Sequence, residues 1–166
     1  KHQVDINVKF PGGHTMVAPI NIRPHAVETL KELASEFELI VFTASHESYA
    51  NAVINYLDPN KEYISHRLFR RHCDYTDEGY YCEDLRILGR DLSKVVIVDN
   101  AAYSYAFQLD NGIPIIPYYQ GEEDYELAAL KEYLLSLRGC GDVREGNRRL
   151  FKLERYGEYG NVDDLV

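Results

Sequence analysis

Two apolar runs that end abruptly at polar residues constrain this chain more than any other feature. Leu39-Ile40-Val41-Phe42 stops at Thr43, and Val95-Val96-Ile97-Val98 stops at Asp99-Asn100. A short unbroken apolar run suits a strand of a parallel sheet, where helices cover both faces. Segments with helical spacing lie between the runs. One follows Arg23-Pro24 and carries Val27, Leu30, Leu33, Ala34 and Phe37; a second has Ala52, Val53, Tyr56 and Leu57 ahead of Pro59. A third, from about Tyr125 to Leu137, has Leu127, Leu130 and Leu134 and stops at Gly139. "YISHRLF" and "GIPII" are further strand candidates. Strands alternating with helices imply βα units and a layered α/β fold whose function sits at the carboxyl ends of the strands.

Ahead of this pattern, "VDINVKF", "PGG" and "TMVAPINI" predict a β-hairpin. With 166 residues, 45% of them hydrophobic, a single domain is expected: hairpin over 1–22, core over 23–141, and a charged helix with a frayed tail over 142–166. The net charge of −9 disfavours nucleic acid and anionic membrane surfaces and favours basic partners. No apolar segment is long enough to cross a bilayer, and "KHQVDINVKF" lacks the core of a signal peptide. The three cysteines, Cys73, Cys82 and Cys140, are an odd number without metal-type spacing and read as ordinary thiols of a reducing, intracellular compartment. Cytoplasm, nucleus and mitochondrion all remain open. A chain beginning mid-pattern with Lys1 is read as either a fragment or a mature product.

Thr43 at one strand tip can offer a hydroxyl to a phosphate, and Asp99 at another can offer a carboxylate to Mg²⁺, which prefers oxygen ligands. The competing reading is structural: Asp99 caps a turn and Thr43 caps the following helix. His66 and His72 around "RLFRR" divide in the same way between metal ligands and structural histidines. The acidic "GEEDYE" reads as a solvated loop whose carboxylates favour a helix start. The fourteen tyrosines, Tyr103, Tyr105, Tyr118 and Tyr119 among them, either line a protein-binding groove or serve as ordinary core and surface residues.

The stretches "RPHAVETLKELASEFELIVFTAS", "YLDPNKEYISHRLFRRHC", "GRDLSKVVIVDN", "SYAFQLDNGIPI" and "DVR" together resemble the FCP/SCP, or NLI-interacting-factor-like, phosphatase domain of the haloacid dehalogenase superfamily. The resemblance implies a Rossmann-type parallel sheet flanked by helices, with the hairpin as a flap. It also implies an Asp-x-Asp strand at the centre of the sheet, whose first Asp attacks a phosphoserine or phosphothreonine and whose second is the general acid. By this resemblance Thr43 matches the phosphate-binding Thr, and Asp99 and Asn100 match the metal-binding motif.

Two departures accompany these matches. The family's Lys, found in a context like Tyr-x-Lys-Asp-Leu, is replaced in "YCEDL" by Glu83. At an effective dielectric of 20, a unit pair 4 Å apart is worth about 4 kcal/mol, so the exchange turns attraction for a phosphate into comparable repulsion. Arg86 and Arg90 lie near in sequence but out of register. Moreover, no Asp-x-Asp precedes Arg23; Asp5-Ile6-Asn7 comes nearest and sits in the hairpin, so the central strand is expected to be missing from this chain. The sequence therefore predicts a catalytically defective member acting as a protein-binding or structural subunit of a larger complex. Its Mg²⁺ site at Asp99 and Asn100 is expected to be weak or empty, with no cofactor. Two alternatives stand beside this: a Mg²⁺-dependent phosphoserine/threonine phosphatase whose Asp-x-Asp lies upstream, and a protein like the mitochondrial inner-membrane import receptor.

Overall fold

The computed structural model describes residues 3–121 and 123–158. The chain divides into two compact units, Lys1–Cys73 with Pro117–Ser136, and Asp74–Ile116 with Leu137–Val166.

In the first unit, β1 (Gln3–Lys9) pairs antiparallel with β2 (Thr15–Asn21), as the alternation predicts. Gly13, at φ 83°, supplies the left-handed turn, and its N–H donates to the Phe10 carbonyl at 2.9 Å. Ile6, Val8 and Ile20 fall on one face by the two-residue period of a strand, and pack against Ala52 and Val53. Helix α1 (Ala26–Ala34) packs on α3 (Glu126–Ser136), and α2 (Glu47–Leu57) connects β3 (Leu39–Phe42) to its parallel neighbour β4 (Ile64–Leu68). Ala50, Ile54 and Phe69 form the core beneath that pair, with Val41 and Ile64 against it. The four residues of β3 are only half-buried, although their apolar run predicts a covered strand. Among the described residues β3 has β4 on one edge and no strand on the other.

Two polar anchors brace this unit. Asp124 accepts from the N–H of Glu126 at 3.1 Å, which caps α3, and it pairs with Arg23 at 3.1 Å with both side chains largely buried. The acidic loop is thus tied down at this residue rather than solvated throughout. Asp58, 1% exposed, accepts from the backbone N–H groups of Glu62, Tyr63 and Ile64 at 2.8–3.0 Å, closing the connection from α2 to β4.

In the second unit, β5 (Asp74–Tyr75) and β6 (Tyr81–Cys82) form a small antiparallel hairpin that the sequence pattern did not signal. Strand β7 (Ile97–Asp99) runs parallel to β8 (Gly112–Pro114). Their connection, Ala102–Asn111, is a run of 3₁₀ turns broken at Tyr105 and Gln108 instead of an α-helix. The strand predicted from Val95 begins only at Ile97. The Val95 N–H closes a 3₁₀ turn on the Leu92 carbonyl, and the Val95 carbonyl accepts from Asn111 Nδ2 at 2.7 Å. Leu85, Ile97, Tyr105 and Leu153 form the core. The charged tail folds as α4 (Val143–Phe151), capped by Asp142 accepting from the Arg144 N–H at 2.9 Å, and a 3₁₀ segment follows over Leu153–Glu158. The expected frayed end, 159–166, lies outside the described residues.

Burial raises the Asp58 carboxyl, but the three N–H donors and Arg67 outweigh it and hold the group below its ordinary value. A depressed folded-state pKa contributes stability above the unfolded value, near 3.8, that is lost as pH falls through the folded one. Asp58→Ala, which strands three buried N–H groups, is expected to cost about 3 kcal/mol at pH 7 in urea melts. The gap between variant and parent should narrow below pH ~4; a gap unchanged at pH 3 would show that Asp58 acts through packing alone.

Candidate functional site

Thr43 follows the last residue of β3. Its N–H donates to the Leu68 carbonyl at 3.0 Å, and its Oγ1 accepts from the Ser45 N–H at 3.1 Å. Thr43 therefore caps a turn, and the helix cap expected of it belongs instead to His46, whose Nδ1 accepts from the Ser48 N–H at 3.2 Å. The Thr43 hydroxyl still has its proton to donate.

Asp99, Asn100 and Glu83 lie in the second unit. Asp99 is the last residue of β7, with Pro114 opposite it in register. Its Oδ1 accepts from the Ala101 N–H at 2.7 Å, and the Ser104 hydroxyl also bonds the carboxylate. Burial nonetheless leaves Asp99 above its ordinary pKa. The turn-capping reading of Asp99 is met, and it coexists with a carboxylate at a strand's carboxyl end. Asn100, next in the chain, is exposed.

Glu83 leaves the end of β6, which is fastened to the 3₁₀ run. Cys82 Sγ donates to the Tyr103 carbonyl at 2.9 Å, and the Glu83 N–H donates to the Ser104 carbonyl at 2.6 Å. Ser104 thus holds Glu83 through its backbone and Asp99 through its hydroxyl. Glu83 is 3% exposed, and among the described residues its carboxyl has no hydrogen-bond partner and no ion pair. Burial, with the Asp99 carboxylate added, pushes its pKa up to about 8. The full negative charge expected at Glu83 is therefore largely titrated away at neutral pH. The physical reason is that a buried charge without a counter-charge prefers to take a proton. What the position lacks in either protonation state is the positive charge of a lysine.

Asp84, next in the motif, is engaged by partners of its own. It accepts from both the N–H and the Nε of Arg86 at 3.0 and 2.9 Å, and from Gln108 Nε2 at 2.9 Å. The Arg86 hydrogen bond holds the Asp84 carboxyl near a pKa of about 2. Arg86 is thereby committed to Asp84, with its guanidinium 5.9 Å from the Phe107 ring centre, and Arg90 donates to the Leu88 carbonyl. Both histidines singled out in the sequence have partners within the protein. His66 pairs with Glu38 at 3.4 Å, and His72 Nδ1 accepts from the Phe69 N–H at 2.8 Å.

Sequence reasoning missed Ser104 and Gln108, which orient the two acidic residues. "SYAFQLD" contains no periodic signal, because 3₁₀ turns repeat neither the helical nor the strand spacing. For a hard cation, the end of β7 offers oxygen donors only, the Asp99 carboxylate and the Asn100 amide oxygen. No group of three His, Cys, Asp or Glu side chains able to hold a metal occurs among the described residues. One or two carboxylates with retained waters are ordinary for Mg²⁺.

The sequence model of the family described as NLI interacting factor-like phosphatase matches residues 1–144. CTD small phosphatase-like protein 3 of Caenorhabditis elegans is 47% identical over 135 residues, covering 81% of this chain and 47% of that protein. CTD nuclear envelope phosphatase 1B of Danio rerio is 41% identical over 125 residues, covering 75% of this chain and 51% of its own length. Among solved structures, fission yeast RNA polymerase II CTD phosphatase Fcp1 bound to beryllium fluoride aligns with a TM-score of 0.56 at 19% identity, over 98% of this chain and 51% of that one. That likeness shows a haloacid-dehalogenase-like fold. This chain spans about half the length of these proteins.

Placement of Asp99 depends on β7 pairing with β8, and β8 begins at a close approach. A Cβ on Gly112 would stand 2.1 Å from the Tyr105 ring, which is fully buried and has nowhere to move. Gly112→Ala is expected to cost about 3 kcal/mol in a denaturant melt. A loss below about 1 kcal/mol would mean the ring is looser than its burial indicates.

Proposed function

We propose, from the premise that this chain belongs to the NLI interacting factor-like phosphatase family, that it is a phosphatase-fold domain without phosphoryl-transfer activity that serves as a protein-binding or structural subunit. The observation that carries this reading is Glu83. A phosphoryl group gathers negative charge on its oxygens in the transition state, and catalysis rests on cations and donors aimed at it. A buried carboxyl at the lysine position supplies no such charge whether it is protonated or ionised. The nearest substitutes in sequence are occupied, Arg86 by Asp84 and Arg90 by the Leu88 carbonyl.

Asp99 and Asn100 would hold Mg²⁺, which when bound supplies positive charge to a phosphate. Phosphate binding without turnover is compatible with this set, and a net charge of −9 favours a basic protein partner. An intracellular setting is supported by a relative named for the nuclear envelope. Among the described residues no helix is long and apolar enough to cross a membrane. The second reading, an active Mg²⁺-dependent phosphoserine/threonine phosphatase, is favoured by the names of the relatives.

Assay of the protein with Mg²⁺ on p-nitrophenyl phosphate and on phosphoserine peptides separates the two. Negligible turnover is expected; turnover abolished by Asp99→Asn would establish the enzyme. In a form supplied with an Asp-x-Asp strand ahead of Lys1, Glu83→Lys should raise kcat/KM at least about a hundredfold, or ~2.7 kcal/mol of barrier. Equal rates for Glu83 and Lys would remove the main support for the non-catalytic reading.

A further inference from the structure

The small hairpin β5–β6 turns one of its two faces away from the rest of the second unit. The two-residue period of a strand sets Tyr80 and Cys82 on one side of the chain. Cys82 Sγ donates to the Tyr103 carbonyl at 2.9 Å, and the Tyr80 ring centre lies 5.1 Å from that of Tyr103, so this side faces the 3₁₀ run. Tyr81 therefore belongs to the opposite face. Its partner in register, Tyr75, stands beside it with the ring centres 4.9 Å apart. Tyr75 is 65% exposed, and among the described residues β5 has no strand beside it except β6.

The charge around this aromatic pair is of one sign. Asp74 belongs to β5, and Asp77 and Glu78 form the turn. That turn is fixed: Gly79, at φ 95°, donates its N–H to the Thr76 carbonyl at 3.0 Å, and the Thr76 N–H donates to the Tyr80 carbonyl at 2.9 Å. All three acidic residues are exposed, and none forms an ion pair among the described residues. Arg86, which feels the Asp74 charge, is itself held by Asp84 and lies over the Phe107 ring. The uncompensated charge thus falls to Asp77 and Glu78.

We infer that the outer face of the β5–β6 hairpin docks a basic segment of a partner protein, a lysine or arginine side chain lying over the Tyr75 and Tyr81 rings with Asp77 and Glu78 attracting its charge. Tyrosine rings draw cations to their faces, and a rim of carboxylates steers a basic partner and repels an acidic one. The same charges argue against other occupants. An uncharged segment leaves both turn carboxylates unanswered, and a second copy of this chain brings the same acidic turn and a net charge of −9 against them. The inference supplies a partner class for the protein-binding reading and rests on it, but it does not need the absence of turnover.

Fluorescence anisotropy of a short fluorescein-labelled peptide of alternating lysine and serine, added to the full chain, tests the inference. An ionic strength of about 0.15 M screens charges more than about 8 Å away. Saturable binding is expected for this peptide and not for one of alternating glutamate and serine. Tyr75→Leu keeps the net charge and an apolar side chain but removes the ring, and should weaken binding at least about threefold, whereas Tyr75→Phe retains it. Asp77→Asn with Glu78→Gln should weaken binding at least about fivefold. Asp5→Asn with Glu28→Gln, an equal loss of charge at exposed positions of the first unit, should leave it unchanged. No saturable binding, or Tyr75→Leu binding as tightly as the parent, overturns the assignment. So does an equal effect of the two double variants, which would reduce the attraction to net charge. Preference for an uncharged proline-rich peptide, or self-association that Tyr75→Leu abolishes, gives the face another occupant and overturns it too. If Tyr75→Leu does not melt cooperatively, amide shifts of the parent on adding peptide take its place: they should cluster over 75–81, and a cluster elsewhere overturns the assignment. Phosphatase turnover is measured in parallel. Turnover with peptide binding intact sinks the non-catalytic reading alone, and absence of both binding and turnover sinks the docking surface alone.

Discussion

The second unit depends on the ring of Tyr105 lying against the backbone at Gly112. Tyr105 is fully buried, and it packs with Leu85, Ile97 and Leu153, residues drawn from a 3₁₀ turn, a strand and the C-terminal segment. Only a residue without a Cβ lets the β8 backbone come so close. That contact seats the 3₁₀ run beside β7, and the run carries Ser104 to the place where it meets both Glu83 and Asp99. Asn111 and Asn147 complete the fastening, each spending a buried amide on backbone carbonyls: Leu92 and Val95 for the first, Asp110 for the second. A segment with no regular period is thus fastened by side chains as well as by its own 3₁₀ turns.

Charge in this unit is sorted by the presence of a partner and not by solvent access, since Asp84 is as buried as Glu83. Asp84 and Asp142 each keep an arginine two residues on, and both carboxyls are held near a pKa of about 2 by that hydrogen bond. Glu83 and Asp99 are drawn the opposite way by burial. Four acidic residues of one unit therefore fall into two populations, and the division follows the availability of a cation. The acidic pair without one lies at the carboxyl end of β7, where parallel α/β sheets place their ligands.

The first unit solves a different problem, that of turning the chain between parallel strands. Asp58 replaces a run of backbone pairing with one carboxylate that gathers three N–H groups, and Arg23 with Asp124 fixes the entrance of α3 beside α1. Both anchors are largely buried, so they depend on being fully satisfied, and the hydrogen bonds at each satisfy them. Thr43 inherits its position from this arrangement. Its N–H extends the β3–β4 pairing by one bond to Leu68, leaving the hydroxyl at the carboxyl end of the pair.

Much of this was legible in the sequence. The run Leu39–Phe42, the helical spacing around Leu33, Val53 and Leu134, and the Gly13 turn act through local period and backbone preference, and each element forms where the pattern places it, although α2 buries Ala50 and Ile54 and leaves Tyr56 exposed. The motifs "VFTAS" and "VVIVDN" identified the family, and "YCEDL" exposed the departure at Glu83. The charge state of Glu83 was not legible, because it depends on burial and on Asp99, sixteen positions away. Nor was the late start of β7, since the Val95 carbonyl is claimed by Asn111 from across the unit. By itself the sequence determined which elements form and which residue types stand at the strand tips, since those follow from spacing along the chain. Only the tertiary structure decided which of those groups are paired and which are left to find a proton or a cation, because desolvation and partner geometry exist only once the chain has closed around them.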